Sequence, residues 1–450
     1  MKLIATIIAV VLCCAIDLKA GKPSAENTIY DSDTNHIWNR LNGTLFVRTA
    51  PDGKQFGLDE LDILYWFRTK NLLVEPSHQQ AIMILDEFIN THGEKLIRDP
   101  LKRALLQRDL WELFDWSTKS SWNLEETRAR RELQSRLAIA IRRLALTTNE
   151  IAALPDNYAQ TETKNPPDLP EGLLQTNGDW VAAVDANNEL TTPTHVASFD
   201  GHSIFCVMLH VPDGRQAAIS YLDKLRLFEH VWIYRTNTSP FATTNEPREI
   251  LTLNPDLPQF PANTEWALVR RMCVIDTDGN IQPTSLTESI QVRRYLAIAA
   301  PTYVTATNCN GYNVTATVLP QKLSEFQMNR RQNCELRAIG TNENGFSFVH
   351  FMGMGIDVFE SSRRNSAHEP PASDSATLQS VTLKTCVDCH SAPGIFSVNS
   401  YTRFLSFSPT SQRPADLTPL DIKRETTETI YWKQRQFDWG LLQGLWNRDN

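Results

Sequence analysis

Hydrophobic residues in this chain keep two different periods, and the switch between them limits the folds open to it. From about residue 26 to 150 they recur every three or four positions, as on one face of a helix. Ser77 and Gln80 read as a capping box ahead of Ala81, Ile82, Ile84 and Leu85, with Gly93 placed to end that helix. Asp99-Pro100 supplies an N-cap and a first-turn proline for a second helix carrying Leu101, Leu105, Leu106, Leu110 and Leu113. Asn123 and Glu126 open a third, in which Leu133, Leu137, Ile141 and Leu144 share one face while arginines fill the other. That arginine face is expected to be solvated, and His78 and His92 to be surface or capping residues. The outcome is a small helical bundle.

Between 151 and 176 the chain turns polar and rich in proline (Pro155, Pro166, Pro167, Pro170), the composition of a linker. From 177 to 360 the period falls to two. Runs over 203–211, 266–275, 292–299 and 346–352 read as short strands, with turns at Pro212-Asp213-Gly214 and at Asp276-Thr277-Asp278-Gly279-Asn280. The second turn has oxygen donors at its first, third and fifth positions, as a calcium loop does. Ile281 stands where such a loop needs glycine, however, and Glu288 comes one position late, so a hairpin turn is the better reading. The expected class is α+β: an N-terminal helical bundle over 26–150 and a central, mostly antiparallel β domain, sandwich-like or barrel-like, over 177–360. Residues 361–377 form a further loop or linker. The C-terminal segment, 378–450, begins with a strand-like alternation from Leu378 to Lys384 and ends in a helix over about 425–446.

The first residues predict export. Met1-Lys2, an apolar stretch from Leu3 to Ile16 and a small residue at Ala20 make a secretory signal peptide over about residues 1–20, with an uncleaved N-terminal anchor as the alternative. No later run approaches the length needed to span a bilayer, so the mature chain is expected to have no transmembrane segment. A net charge of −8 argues against nucleic acid as a partner. In an oxidising compartment Cys206, Cys273, Cys309 and Cys334 could pair, Cys309 with Cys334 for preference, or stay as buried thiols. Asn42-Gly43-Thr44, Asn237-Thr238-Ser239 and Asn313-Val314-Thr315 fit glycosylation acceptors but are read as incidental.

One run in the C-terminal segment carries specific chemistry. Cys386-Val387-Asp388-Cys389-His390 is a C-x-x-C-H sequence, which composition alone (8 cysteines, 10 histidines) would give roughly 0.003 times in a chain of this length. Two thiols three positions apart can add to the two vinyl groups of one porphyrin, and the next histidine is placed to ligate the iron. The segment thus reads as a covalent attachment site for one haem c, and the predicted export agrees, because such haem is attached outside the cytoplasm.

In these five residues the chain resembles the c-type cytochromes. The resemblance implies thioethers at Cys386 and Cys389 and a proximal iron ligand at His390. It does not extend to the rest of the chain. A small cytochrome c domain carries the motif on an early helix and supplies a methionine well downstream; here the motif follows a strand-like segment and no methionine occurs after Met354. Cytochromes c′ place the motif on the last helix of a bundle, which the strand before Cys386 opposes. P460-type cytochromes place it after a β domain, a closer parallel, and for their lysine cross-link Lys384 and Lys433 are nominal candidates.

For the sixth iron ligand the sequence offers His350, Met352 and Met354, which would share one face of an alternating strand pointing either at the haem or into a core. His368 sits in a proline-rich stretch and is read as exposed. The aromatic terminal helix suits packing on a large flat apolar body, the haem or the β domain's core. Three functions follow: an exported, periplasmic monohaem electron carrier with a protein redox partner; a haem enzyme or gas-binding protein with an open distal site; or a non-haem dithiol or metal-binding protein. The first is preferred. A thioredoxin-like site lacks its β-α-β surroundings, and a zinc site lacks a fourth ligand. The sequence leaves oligomeric state open.

Overall fold

The computed structural model describes residues 28–49, 53, 55–59, 69–119, 124–185, 190–228, 232–236, 249–298, 321–346, 379–381, 383, 394–399, 417–419 and 422–446. The signal-peptide segment, Asn123, Cys309 and the polar stretch 361–375 lie outside them. The helices are α1 (Ile37–Leu45), α2 (Ser77–Asn90), α3 (Pro100–Thr118), α4 (Leu124–Leu144), α5 (Thr148–Ala152), α6 (Asn157–Glu162), α7 (Pro193–Ser198), α8 (Arg215–Arg226), α9 (Ile395–Asn399), α10 (Lys423–Gln434) and α11 (Phe437–Trp446). The strands are β1 (Arg48–Thr49), β2 (Gln55–Phe56), β3 (Val181–Asp185), β4 (Ser203–His210), β5 (Trp232–Thr236), β6 (Glu249–Leu253), β7 (Thr264–Ile275), β8 (Ile281–Tyr295), β9 (Gln321–Asn329), β10 (Glu335–Ala338), β11 (Asn344–Phe346), β12 (Gln379–Val381) and β13 (Leu417–Pro419). The chain is α+β, with an N-terminal helical region and a central antiparallel sheet.

Seven strands build that sheet in the order β10-β9-β8-β7-β4-β3-β13. Its two faces carry separate cores, because side chains alternate along each strand. Ile204, Cys206, Met208, Ala267 and Val269 look inward and join one apolar cluster with α1 to α4 and α11. Val181, Ala183, Leu209, Trp266 and Tyr295 look outward, to Ala218, Tyr221, Leu222 and Leu225 of α8 and to Leu257, Phe260 and Ile395. The β7–β8 hairpin turns at Asp276–Asn280, where the Asp276 carboxylate accepts from the amides of Asp278 (3.0 Å) and Asn280 (2.8 Å) and from Gln282 Nε2 (2.7 Å). Those bonds use the carboxylate as a turn does, in line with the hairpin reading.

Several local expectations give way to the structure. Pro76, not Ser77, is the N-cap of α2; the His78 amide is taken by the Val74 carbonyl (3.0 Å), and Ser77 Oγ donates instead to Asn71 Oδ1 (3.1 Å). His92, at φ 53°, makes the left-handed exit, while Gly93 is needed for contact, since a Cβ there would lie 2.5 Å from the Phe88 ring. His78 is buried between the Leu72 carbonyl (2.8 Å) and Glu132 (3.3 Å), so it is neither a surface nor a capping group. Asp99 does cap α3, accepting from the Leu101 amide at 2.9 Å.

The arginine face of α4 is only partly solvated. Arg128 is exposed, but Arg136 forks onto Asp86 (2.7 and 3.0 Å), Arg130 donates to the Ser117 carbonyl (2.9 Å) and Arg142 to the Trp446 carbonyl (2.7 Å). Each ties α4 to a neighbouring element. The proline-rich stretch 151–176 begins with the end of α5, carries α6 and packs. Buried Asn157 bridges the Thr287 amide and carbonyl (2.7 and 2.9 Å) and the Cys334 carbonyl (2.8 Å), and Thr161 Oγ1 accepts from the Leu336 amide (3.0 Å), covering the β10 edge of the sheet. Pro212-Asp213-Gly214 leads not into another strand but into α8, whose Ala218, Tyr221, Leu222 and Leu225 keep a helical spacing and cover the outer face. The terminal helix is two helices. Trp439, Leu442 and Trp446 of α11 enter the inner core, while Phe437 is 76% exposed.

Candidate functional site

Cys386, Cys389 and His390 lie outside the described residues, as do His350, Met352, Met354, His368 and Lys384. What the structure gives is the chain on either side of the C-x-x-C-H run. Upstream, β12 pairs antiparallel with β11 in the register Asn344↔Val381, Gly345↔Ser380, Phe346↔Gln379, and Leu383 is buried. Phe346, the last described residue before the His350–Met354 candidates, therefore sits beside Gln379. Val381, five residues before Cys386, sits beside Asn344.

Downstream, the chain is fastened to the outer face of the sheet. Gly394 takes φ 54°, a conformation that suits glycine in a Pro-Gly turn, and the Ile395 amide donates to Gln259 Oε1 at 3.0 Å. Ile395 is fully buried in the outer core. Ser397 Oγ and Tyr295 Oη are hydrogen-bonded at 2.9 Å, both groups being buried. The Tyr295 ring meets Phe260 edge-on, centroids 4.9 Å apart, and Phe260 in turn contacts Trp266 and Tyr221. Leu383, before the motif, and Ile395 and Ser397, after it, are thus all buried. Nothing in the sequence marks Gln259, Tyr295 or Ser397 for this; only the Pro393-Gly394 turn signal hints at a fixed re-entry.

A second constellation is a spine of buried charge along α3. This helix is buried all round, fifteen of its nineteen residues being inside, so it passes through the middle of the protein. Arg108, Asp109, Glu112 and Asp115 lie within two turns. Asp109 takes Arg330 in a two-pronged pair (2.5 and 2.6 Å). Arg108 bonds Glu112 (2.7 Å) and faces Glu288 of β8 (3.4 Å), which also accepts from Ser203 Oγ. Asp115 meets His202 Nε2 at 2.5 Å and Lys433 Nζ of α10, and Lys433 also pairs with Asp438. Trp111 lies edge-on to His202 (4.6 Å) and under Lys433 Nζ (5.7 Å).

Burial would lower the Lys433 pKa, but Asp115 and Asp438 outweigh it and hold it above the usual lysine range, as an ammonium. Burial, helped by the Arg108 and Lys433 charges, holds His202 well below the usual histidine range, so its ring is neutral. Lys433 is fully buried and committed to two carboxylates, which leaves it no part in a haem cross-link. Arg108 reaches β8, Asp109 the β9–β10 turn, and Asp115 both α10 and the residue before β4, with α11 joined through Lys433 and Asp438. The work of the spine is to hold those elements on α3.

Among the described residues no group of three or more histidine, cysteine, aspartate or glutamate side chains could hold a metal ion. Cys206, Cys273 and Cys334 are buried free thiols, each pushed up to about 12 by burial. Asn42 is buried within α1, so its sequon is closed to modification in the folded chain. No helix among the described residues is long and apolar enough to cross a membrane. Compared with protein-family models, with curated proteins and with solved structures, the chain matches none.

Proposed function

We propose that this chain is an exported monohaem protein of c-type cytochrome character, acting in periplasmic electron transfer. Cys386 and Cys389 would carry the haem c thioethers and His390 the proximal bond. The observation that carries the reading is the Cys386–His390 run itself, two thiols and an imidazole in the one spacing that serves both vinyl groups and the iron. The N-terminal segment 1–20, read as an export signal, supports it. The donor chemistry also fits: a thiol pair for covalent attachment and a neutral imidazole for iron. Bound there, haem supplies a one-electron couple; the protein's part is to fix the ring and set its surroundings.

The test is haem staining on a denaturing gel after expression with a c-type maturation system, together with the intact mass and the optical spectrum. Covalent stain, a mass increased by one haem and a six-coordinate low-spin spectrum are expected, and Cys389→Ala should lose the stain. High-spin iron that takes up CO would replace the carrier by an enzyme or gas-binding protein with an open distal site. Absence of stain, with both thiols free to titrate or zinc co-purifying, would sink the haem reading.

A further inference from the structure

Four Asn-Gly pairs occur in the chain. Asn310-Gly311 lies outside the described residues, and the fold sets the other three in different surroundings. In such a pair the main-chain amide nitrogen reaches the preceding side-chain carbonyl with least hindrance, because glycine has no Cβ and a permissive backbone. The approach still needs a main chain free to bring the two atoms together. Asn42 is denied it: the residue is buried inside α1, and its carbonyl accepts from the amides of Phe46 (2.9 Å) and Val47 (3.2 Å). Asn344 is held extended in β11, opposite Val381, with Gly345 opposite Ser380. Asn177 stands in neither helix nor strand. It is exposed, in the turn between Gln175 and Trp180, where the Gly178 amide donates to the Gln175 carbonyl over 3.2 Å, the long end of the normal range.

We propose that Asn177 is a site of spontaneous covalent modification whose product loosens α8. The Gly178 nitrogen gives its proton to solvent hydroxide and bonds to the Asn177 side-chain carbonyl carbon. The bond from that carbon to the side-chain nitrogen breaks, and ammonia leaves with a proton from water. Water then adds to either carbonyl of the cyclic succinimide, opening it to aspartate or to isoaspartate, in which the main chain runs through the side-chain carbon. Nothing is oxidised or reduced. The place matters because this peptide is part of a clip. Arg215, the first residue of α8, donates from Nη1 to the carbonyls of Gly178 (2.9 Å) and Trp180 (2.8 Å), and Trp180 is buried with its ring 5.3 Å from His210. The turn is tight: a Cβ on Gly178 would lie 3.1 Å from the Gly172 carbonyl oxygen. An extra main-chain methylene at 177 therefore moves the Gly178 carbonyl off Arg215. The first turn of α8 loses its fastening, on the helix that covers the outer face of the sheet with Ala218, Tyr221, Leu222 and Leu225.

The experiment ages the full chain at pH 8 and at pH 5 and maps its peptides by mass spectrometry, with electron-transfer fragmentation to separate aspartate from isoaspartate. Asn177 should convert, mostly to isoaspartate, and tenfold or more faster at pH 8, since the attacking nitrogen must lose its proton. Asn42 and Asn344 should stay amides in the folded chain, and in denaturant all three should convert together. Amide hydrogen exchange over residues 216–220 should be tenfold or more faster in the aged chain than in the fresh one. Asn177→Gln closes the corresponding ring far less readily and leaves Gly178 in place, so this variant should keep the fresh pattern after ageing. Conversion of Asn177 in denaturant but not in the folded chain overturns the site. Conversion of all three at one rate in the folded chain overturns the selection by the fold. Conversion with unchanged exchange at the start of α8 overturns the link to the Arg215 clip.

Discussion

Lys433 and Asp115 form an ion pair with no exposed side-chain surface on either partner, and Asp438 completes it from the next helix. Two carboxylates share one ammonium, and Asp115 also meets the neutral His202 ring. Removing one partner from a buried pair leaves the other charge without solvent or counterion, typically a loss of about 3–5 kcal/mol. Lys433→Met should lower stability by that amount in chemical denaturation. Adding Asp115→Asn, which keeps a partner for His202, should recover part of it. Additive losses in the double variant would show that the two side chains are not coupled.

Glu112 gives a pH dependence of definite sign. Burial raises it to about 7 against the pull of Arg108, which it shares with Glu288, and Asp109 adds to the repulsion. A carboxyl whose folded pKa is raised favours the folded state below its unfolded value of 4.5, and that advantage is lost as pH rises through about 7. The full change amounts to about 3 kcal/mol. Glu112→Gln cannot ionise and still accepts from Arg108. Its stability relative to wild type should therefore rise between pH 5 and pH 8 in guanidinium unfolding; a constant gap would contradict the assignment.

These two residues also show where sequence reading stops. The helix at 100–118 was legible from Asp99-Pro100 and its leucines, because capping and period are local. That the same helix runs through the centre was not, since Arg108, Asp109, Glu112 and Asp115 look like a solvated face until Arg330, Glu288 and Lys433, far away in sequence, are seen to answer them. The α8 helix was missed for a related reason. Its apolar residues follow a turn signal equally suited to a hairpin, and only the uncovered outer face of β4 and β7 demands a helix there. At the candidate site the chemistry-bearing residues Cys386, Cys389 and His390 were legible as a spacing. Gln259 and Tyr295 were not, because holding a loop takes an amide acceptor and a hydroxyl from any distance along the chain.

The buried thiols make a simple labelling prediction. Cys206, Cys273 and Cys334 are enclosed and pushed up to about 12, so each is a neutral thiol with no access for reagent. In the native chain iodoacetamide should leave all three unmodified over hours, as read by peptide mass spectrometry. In denaturant all three should label at once, without prior reduction. A requirement for reductant at Cys334 would mean that it is disulfide-bonded.

The sixth iron ligand decides between carrier and catalyst, and the chain narrows the choice. Met352 and Met354 stand with His350 in sequence just after β11, and no methionine occurs between 355 and 450. The antiparallel β11–β12 ladder sets Phe346 beside Gln379 and Val381 beside Asn344, so the two segments depart from opposite ends of one short ladder. Neutral imidazole and thioether both give low-spin iron, and they differ in the reduction potential they set. With haem attached, one of His350→Ala, Met352→Ala and Met354→Ala should convert the low-spin spectrum to a high-spin one that takes up CO, while the other two leave it unaltered. Loss of the weak long-wavelength thioether band would mark a methionine, and its absence in wild type would mark the histidine. If the triple variant keeps the low-spin spectrum, the ligand comes from elsewhere in the chain and this segment belongs to a core instead.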